Sequence, residues 1–300
     1  MSYVIGTIIN LLVSTSYAMT PLTLTAVGEI TSERAGVVNI GLEGMISVSA
    51  LVSVAVATQT LNPWLGLLAG VGVGALIGLI HGLISAYGKG AQIISGVGVN
   101  IFALGFVPYM IIALWGVAGY KQVPEAGRVP RLAGLVSPIF IFCVLIAIAT
   151  HYVLFRTSLG LKIRALGEEP QAADTLGVHV ERLQLIATIY GGALAGLAGA
   201  FMSLDWLGTI TKEIAAGRGF ISLALVVFSN WKPSLALLGG ALFGSSWALT
   251  EWLKVLPGVK GVIPVTIINT LPYVVTLGAV AGVIGKARSP RRSGVPYLRE

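Results

Sequence analysis

Two carboxylates, a guanidinium and an amide lie within eleven residues of an otherwise oily sequence: Glu33, Arg34, Asn39 and Glu43, in SERAGVVNIGLEGM (Ser32 to Met45). Glu29 stands four residues before Glu33. In a hydrocarbon core a lone carboxylate costs about 2.5–3.5 kcal/mol on insertion scales. Such groups must anchor one another or face a hydrated space. Nothing resembling a nucleophile–base pair accompanies them, so the chemistry on offer is holding and positioning, not bond making. Asn39 and Glu43 are four apart and would share a helix face. Arg34 is placed to neutralise Glu29 or Glu33. Gly36, Gly41 and Gly44 permit close backbone approach or a broken helix. Two roles stay open: a structural knot at an elbow between two helices, or a path in which Asn39 and Glu43 help pass a polar solute.

The elements that must carry these groups follow from composition. Of 300 residues, 55% are hydrophobic and only 10% charged, and the mean hydropathy is +0.89. A soluble domain carries about 25% charged residues. The expected fold is all-α: a polytopic membrane protein with about nine spans, within limits of eight to ten. Candidates are Val4–Ile30, Val37–Ala57, Trp64–Ala86, Ile93–Leu114, Pro138–Phe155, Leu183–Leu204, Phe220–Ser229, Ser234–Lys254 and Ile263–Gly285. The seventh is short and can be tilted, broken or re-entrant. The N-terminus has no basic n-region and reads as a retained first span. The net charge of +7 fits basic loops on the cytoplasmic side. No basic cluster interleaved with aromatics points to nucleic acid. With the tail after Gly285 inside, twelve of the nineteen Lys and Arg fall inside. That favours an outer N-terminus and a cytoplasmic C-terminus. Cys143 is the single cysteine, so no intrachain disulfide can form, and His81, His151 and His179 are too scattered for a metal site.

The third candidate span carries Gly66, Gly70, Gly74, Gly78 and Gly82, one every fourth residue. Gly192, Gly196 and Ala200 repeat the spacing in the sixth. Small residues in such steps let helices approach closely, within the chain or at a subunit interface. The phosphate-loop pattern G-x-x-x-x-G-K-[ST] is absent, so nucleotide hydrolysis by this chain is not expected.

One hydrophilic interlude is built like folded structure: TSLGLKIRALGEEPQAADTLGVHVERLQ, Thr157 to Gln184. Pro170 suits the first turn of a helix. Glu168 and Glu169 favour its positive end. Asp174 lies within it, and Gly177 is placed to end it in a left-handed cap. Ala172, Ala173 and Leu176 are expected on one shallow apolar face. So short a helix needs a partner groove, so 157–182 reads either as a docking segment for a cytoplasmic partner or as a plain connecting loop with a helical turn.

At this point a resemblance becomes specific. ALGEEPQAADTLGV followed by GGALAGLAGA resembles the coupling region of ABC importer permeases, in the branched-chain amino acid, ribose and nucleoside permease family. ERAGVVNIGLEGM, GRGFISLALVVFSNWKP (Gly217–Pro233), LPYVVTL (Leu271–Leu277) and SGVPY (Ser293–Tyr297) look like its nucleoside and simple-sugar branch. Within that branch the chain is similar to the shorter of two paralogous permeases. The resemblance implies one transmembrane permease domain over 1–300, a coupling segment at 157–182 and a cytoplasmic tail at 286–300. It implies a multi-pass protein of the cytoplasmic membrane that is not itself an enzyme. It implies alternating access, with nucleosides as cargo and simple sugars as the alternative. A stand-alone secondary transporter is the competing class. The implied partners are a second permease (a heterodimer, or a homodimer), an ABC ATPase carrying ATP and Mg, and an extracytoplasmic substrate-binding lipoprotein. No cofactor or metal is expected on this chain. Candidate path or gate residues are Asn39, Glu43, Asn100, Phe220 and Asn230. Asp205, Trp206, Lys212, Glu213 and Arg218 are candidate contacts for the binding protein, or a solvated outer loop.

Overall fold

The computed structural model describes residues 2–132, 134–256, 259, 263–283 and 287–298. The long helices are α1 (Ser2–Arg34), α2 (Leu42–Thr60), α3 (Pro63–Gly82), α4 (Gln92–Trp115), α5 (Pro138–Arg156), α8 (Val180–Phe201) and α10 (Pro233–Val255). Shorter ones are α6 (Ser158–Glu168), α7 (Pro170–Thr175), α9 (Arg218–Phe228), α11 (Val265–Ile268) and α12 (Leu271–Val283). Two three-residue strands, β1 (Tyr120–Gln122) and β2 (Thr209–Thr211), pair antiparallel with Lys121 opposite Ile210. They mark one end of the bundle, the strand end. The opposite, tail end holds α6, α7 and residues 287–298.

Among the described residues, six helices are long and apolar enough to cross a membrane, where the sequence suggests about nine. The shortfall has physical causes. Helix α9 has 11 residues and rises only about 16 Å, against a hydrocarbon core of about 30 Å. Helix α10 has the length, at 23 residues, but glycine, serine, Glu251 and Lys254 dilute its apolar character. The last candidate is split into α11 and α12; its end, Ile284 and Gly285, lies outside the described residues, as do Lys286, Arg299 and Glu300 of the tail.

The glycine ladder of α3 faces α8. A Cβ on Gly74 would fall on the Gly192 carbonyl and 2.6 Å from the Gly196 Cα. One on Gly78 would sit 2.6 Å from the Thr188 carbonyl, and one on Gly70 2.9 Å from the Ala200 Cβ. Gly82 meets Thr188, and Gly66 meets Ala57 of α2 and Leu204. The two backbones therefore touch directly, held by dispersion where no side chain intervenes. Helix α1 joins this block through Gly28, which abuts Gly191 of α8.

Between α1 and α2 the chain is not helical. Its backbone groups must still be satisfied inside the bundle, and buried side chains do so. Gln184 Nε2 donates to the Ala35 carbonyl at 3.0 Å. Val38 N donates to Gln92 Oε1 at 2.7 Å, and Asn39 N to Glu29 Oε1 at 2.7 Å. The Val38 carbonyl lies 3.1 Å from His81 Nε2. Asn39 thus precedes α2 and shares no helix face with Glu43.

Helix α7 begins at Pro170 in its first turn, and Gly177 follows at φ +80°. Its apolar face is divided. Ala173 is buried with Leu166, Val180 and Tyr297, whereas Leu176 is 84% exposed and Ala172 is exposed too. Successive residues turn by about 100°, so Ala172 and Leu176 project together and Ala173 turns inward. Glu168 and Glu169 are exposed. The tail folds back over this region: Tyr297 Oη donates to Asp174 Oδ2 at 2.9 Å, and Arg292 N donates to the Gly167 carbonyl at 2.8 Å.

Candidate translocation site

Glu43 opens α2 and points at the start of α9. Its Oε1 accepts from Gly217 N at 2.6 Å and its Oε2 from Gly219 N at 2.7 Å. The first amides of a helix have no partner within the helix and carry partial positive charge. A carboxylate is the group that suits them. Gly219 has to be glycine here, because a Cβ would lie 2.6 Å from the Glu43 Cα. Gly217 at φ +80° and Ala216 at φ +47° turn the incoming chain. Arg218, buried beside them, lies between Trp206 and Trp247, 4.7 and 4.5 Å from their ring centroids. Its Nη1 donates to the Ala215 carbonyl at 3.2 Å.

Asn100 of α4 fixes the other side. Its Oδ1 accepts from Gly44 N at 2.8 Å, and its Nδ2 donates to the Ile40 carbonyl at 3.0 Å. Asn100 lies eight residues beyond Gln92, the first residue of α4, or about 12 Å at the helical rise. The knot is therefore inside the bundle and not at its rim. From Glu43, α2 runs toward the strand end, where Ala57 meets Gly127. Helix α9 runs back toward the tail end. Two helix N-termini converge at one depth.

A cavity of about 370 Å³ opens there. Glu43, Ser47, Asn100, Lys212, Glu213 and Phe220 line it, with Ala103, Leu104 and the Ala215–Gly217 turn. Of the five path residues expected from sequence, Glu43, Asn100 and Phe220 meet here. Asn39 and Asn230 do not. Asn39 is buried behind the knot, where its Oδ1 accepts from Gly41 N at 2.9 Å. Asn230 follows the far end of α9, and its Oδ1 accepts from Arg288 N at 2.9 Å.

Other expectations shift as well. Arg34 neutralises neither neighbouring carboxylate: its Nε donates to the Trp231 carbonyl at 3.2 Å and its Nη2 to the Asn230 carbonyl at 3.4 Å. Glu33 Oε2 accepts from Trp231 Nε1 at 2.5 Å. Asp205 and Arg218 are each 6% exposed, so neither belongs to a solvated outer loop; Asp205 Oδ2 accepts from Ser137 Oγ at 2.5 Å. Lys212 and Glu213 line the cavity. Ser47 and the Ala215–Ala216 turn were not legible as site residues; the only local signal was the Gly217-Arg218-Gly219 run.

This arrangement offers no bond-making chemistry. Glu43 occupies the positive end of α9, so that end is not free for an anionic cargo. The lining mixes hydroxyl, amide and charged groups with the half-exposed ring of Phe220. Discontinuous helices meeting around a cavity that sets Glu43, Asn100 and Lys212 among apolar side chains, within a helical bundle, fit a solute permease.

The chain belongs to the family of branched-chain amino acid transport system permease components, whose model matches residues 11–271. It is 36% identical to the guanosine ABC transporter permease protein NupQ of Bacillus subtilis, covering 93% of each chain. It is 33% identical to the nucleoside ABC transporter permease protein NupC of Lactococcus lactis, over 93% of this chain and 94% of that one. The putative glucose ABC transporter permease protein TsgC13 of Haloferax volcanii is 35% identical over 94% of each. In both bacteria a second ABC permease protein matches more distantly, at 25% and 24% identity. No solved structure matches the chain significantly.

Proposed function

We propose that this chain is the pore-forming permease subunit of an ATP-driven importer of nucleosides. The observation that carries the reading is the cavity at Glu43, together with two nucleoside permease proteins among the relatives. A nucleoside is uncharged, rich in hydroxyl and amide groups, and has one flat apolar face. Ser47 and Asn100 can exchange hydrogen bonds with the former, and the Phe220 ring can stack on the latter. A phosphorylated nucleoside would bring negative charge to Glu43 and Glu213 with Lys212 as the one basic group in the lining. Simple sugars are the second reading, favoured by the glucose-named relative at 35% identity.

Transport proceeds by alternating access. A loaded binding protein docks at the strand end, which faces outward. A cytoplasmic ATPase, carrying ATP and Mg, grips the exposed Ala172–Leu176 face of α7. Its closure shifts the helices around the cavity, and hydrolysis resets them. A paralogous permease completes the pore, as the paired relatives suggest. Clustering of Lys89, Arg292 and Lys162 at the tail end supports a cytoplasmic C-terminus.

The test is reconstitution of the chain with its paralogue, ATPase and binding protein in proteoliposomes. Radiolabelled nucleoside should enter with ATP, ahead of any hexose or pentose. Leu176→Asp should lower uptake by about tenfold or more, since a buried charge at an interface is costly, while the chain still inserts. Hexose uptake exceeding nucleoside uptake would move the assignment to the sugar reading. Full uptake by Leu176→Asp would remove α7 from the drive.

A further inference from the structure

Helix α9 is gripped at both ends by one short stretch of chain. At its N-terminus Glu43 accepts from Gly217 and Gly219. Just past its C-terminus Glu33 accepts from the Trp231 indole, and Arg34 donates to the Asn230 and Trp231 carbonyls. A helix dipole favours the Glu43 carboxylate at the amino end and the Arg34 cation at the carboxyl end; Glu33 is held at the carboxyl end by the Trp231 indole instead. Both grips come from residues 33–43, the last turn of α1, the elbow and the first turn of α2.

Each grip also sits on a strained turn. Ala216 and Gly217 have φ of +47° and +80°, and Asn230 and Trp231 have φ of +50° and +54°. Outside glycine, such conformations persist only where the surroundings enforce them. For Asn230 and Trp231 the holding groups are Glu33 and Arg34, with Arg288 N on the Asn230 side chain.

The elbow is in turn backed by the docking segment. Gly167, in the last turn of α6, lies so close to Arg34 that a Cβ would sit 2.5 Å from its carbonyl oxygen. The tail closes the stack: Arg292 N donates to Gly167 and Gly294 N to the Gly36 carbonyl at 3.2 Å.

We infer that the Glu33–Arg34–Trp231 contact is the joint through which motion of α6 and α7 reaches α9, so that elbow and α9 move as one body and reshape the Glu43 cavity. Glu33, Arg34 and Trp231 are positioning residues that touch no cargo. The transport role of the joint rests on the importer reading; its mechanical unity does not.

Two measurements on the complete complex separate these. The first is hydrogen exchange at the Gly217–Gly219 amides, twelve or more residues away from the altered side chain. Trp231→Phe, which removes the indole N–H, should raise exchange there by about tenfold, the scale of one lost charge-assisted bond. Unchanged exchange at those amides would overturn the single body, whatever the cargo proves to be. The second is ATP hydrolysed per nucleoside delivered, which should rise at least several-fold in Trp231→Phe. Glu33→Gln keeps an acceptor for the indole and should stay near the wild-type ratio, whereas Glu33→Leu should match Trp231→Phe. If Trp231→Phe does not assemble, Glu33→Leu carries both measurements. Uptake and hydrolysis falling in strict proportion would reduce the joint to a structural contact. A wild-type complex that imports no nucleoside would sink the cargo reading and leave the exchange result standing.

Discussion

The α3–α8 seam and helix α9 are both placed with the help of glycine, yet in opposite ways. At the seam, Gly74 and Gly78 meet the backbone of Gly192, Gly196 and Thr188. Backbone cannot rotate aside, so the two helices form a fixed block. Where α9 passes α10, the space over Gly239 is filled by the far ends of Leu225 and Phe228. Those side chains can change rotamer, so α9 can shift against α10 without parting from it. Its firm attachments are terminal: at Glu43, where Gly219 also meets backbone, and at Glu33 and Arg34. A fixed wall and a helix held by its ends are what an alternating pore needs: one surface stays while the other moves.

The seam should be the most sensitive to bulk. Gly74→Leu would drive a side chain into the Gly192 carbonyl, where nothing can yield. Overpacking costs about 1–3 kcal/mol even in cores that can adjust, and here the backbones would have to separate. The expected result is loss of nearly all monodisperse protein after extraction from the membrane, measured by size-exclusion yield against wild type. Wild-type yield would mean that α3 and α8 can move apart, and would erase the distinction between wall and moving helix.

The wall was readable in the sequence because its cause is local. Glycine at every fourth position needs no tertiary knowledge to imply a close-packed face, although the partner helix was not given. The start and stop of α7 were readable for the same reason, from Pro170 and Gly177. The division of its face was not: that Ala173 turns inward depends on Tyr297, more than a hundred residues away in sequence. Glu43 and Asn100 could be singled out as polar groups in oily surroundings, and Phe220 as the start of the short seventh candidate span. Their partners could not, because hydrogen bonds from Gly217 and Gly219 to Glu43 cross some 175 residues of chain. The sequence suggests about nine spans where six are found among the described residues, since apolar runs reveal where a chain avoids water, not where its helix is interrupted.

Glu43 tests the other side of the comparison. Glu43→Ala removes both acceptors at the amino end of α9 and should cut nucleoside uptake by about tenfold to a hundredfold, the range for lost bonds to a charged group. Membrane abundance should change far less, because α9 keeps its apolar contacts through Ile221, Leu225 and Val226. Glu43→Gln leaves one acceptor oxygen and a similar shape, so its uptake should fall between Glu43→Ala and wild type. If both variants lose abundance in step with uptake, the knot holds the fold together and the moving element must be sought elsewhere.

The smallest effect sharpens the contrast most. Gly72 lies two residues before Gly74 in α3 and is exposed, with no heavy atom within 4 Å of a Cβ placed on it. Two residues turn the helix by about 200°, so Gly72 faces away from α8. Gly72→Leu should leave yield and uptake within the scatter expected of surface substitutions, about 0.5 kcal/mol either way. Paired with Gly74→Leu, it separates the loss of glycine as a residue type from the loss of contact between two backbones. Equal damage from both would point to helix flexibility as the role of the ladder; damage from Gly74→Leu alone assigns that role to the seam.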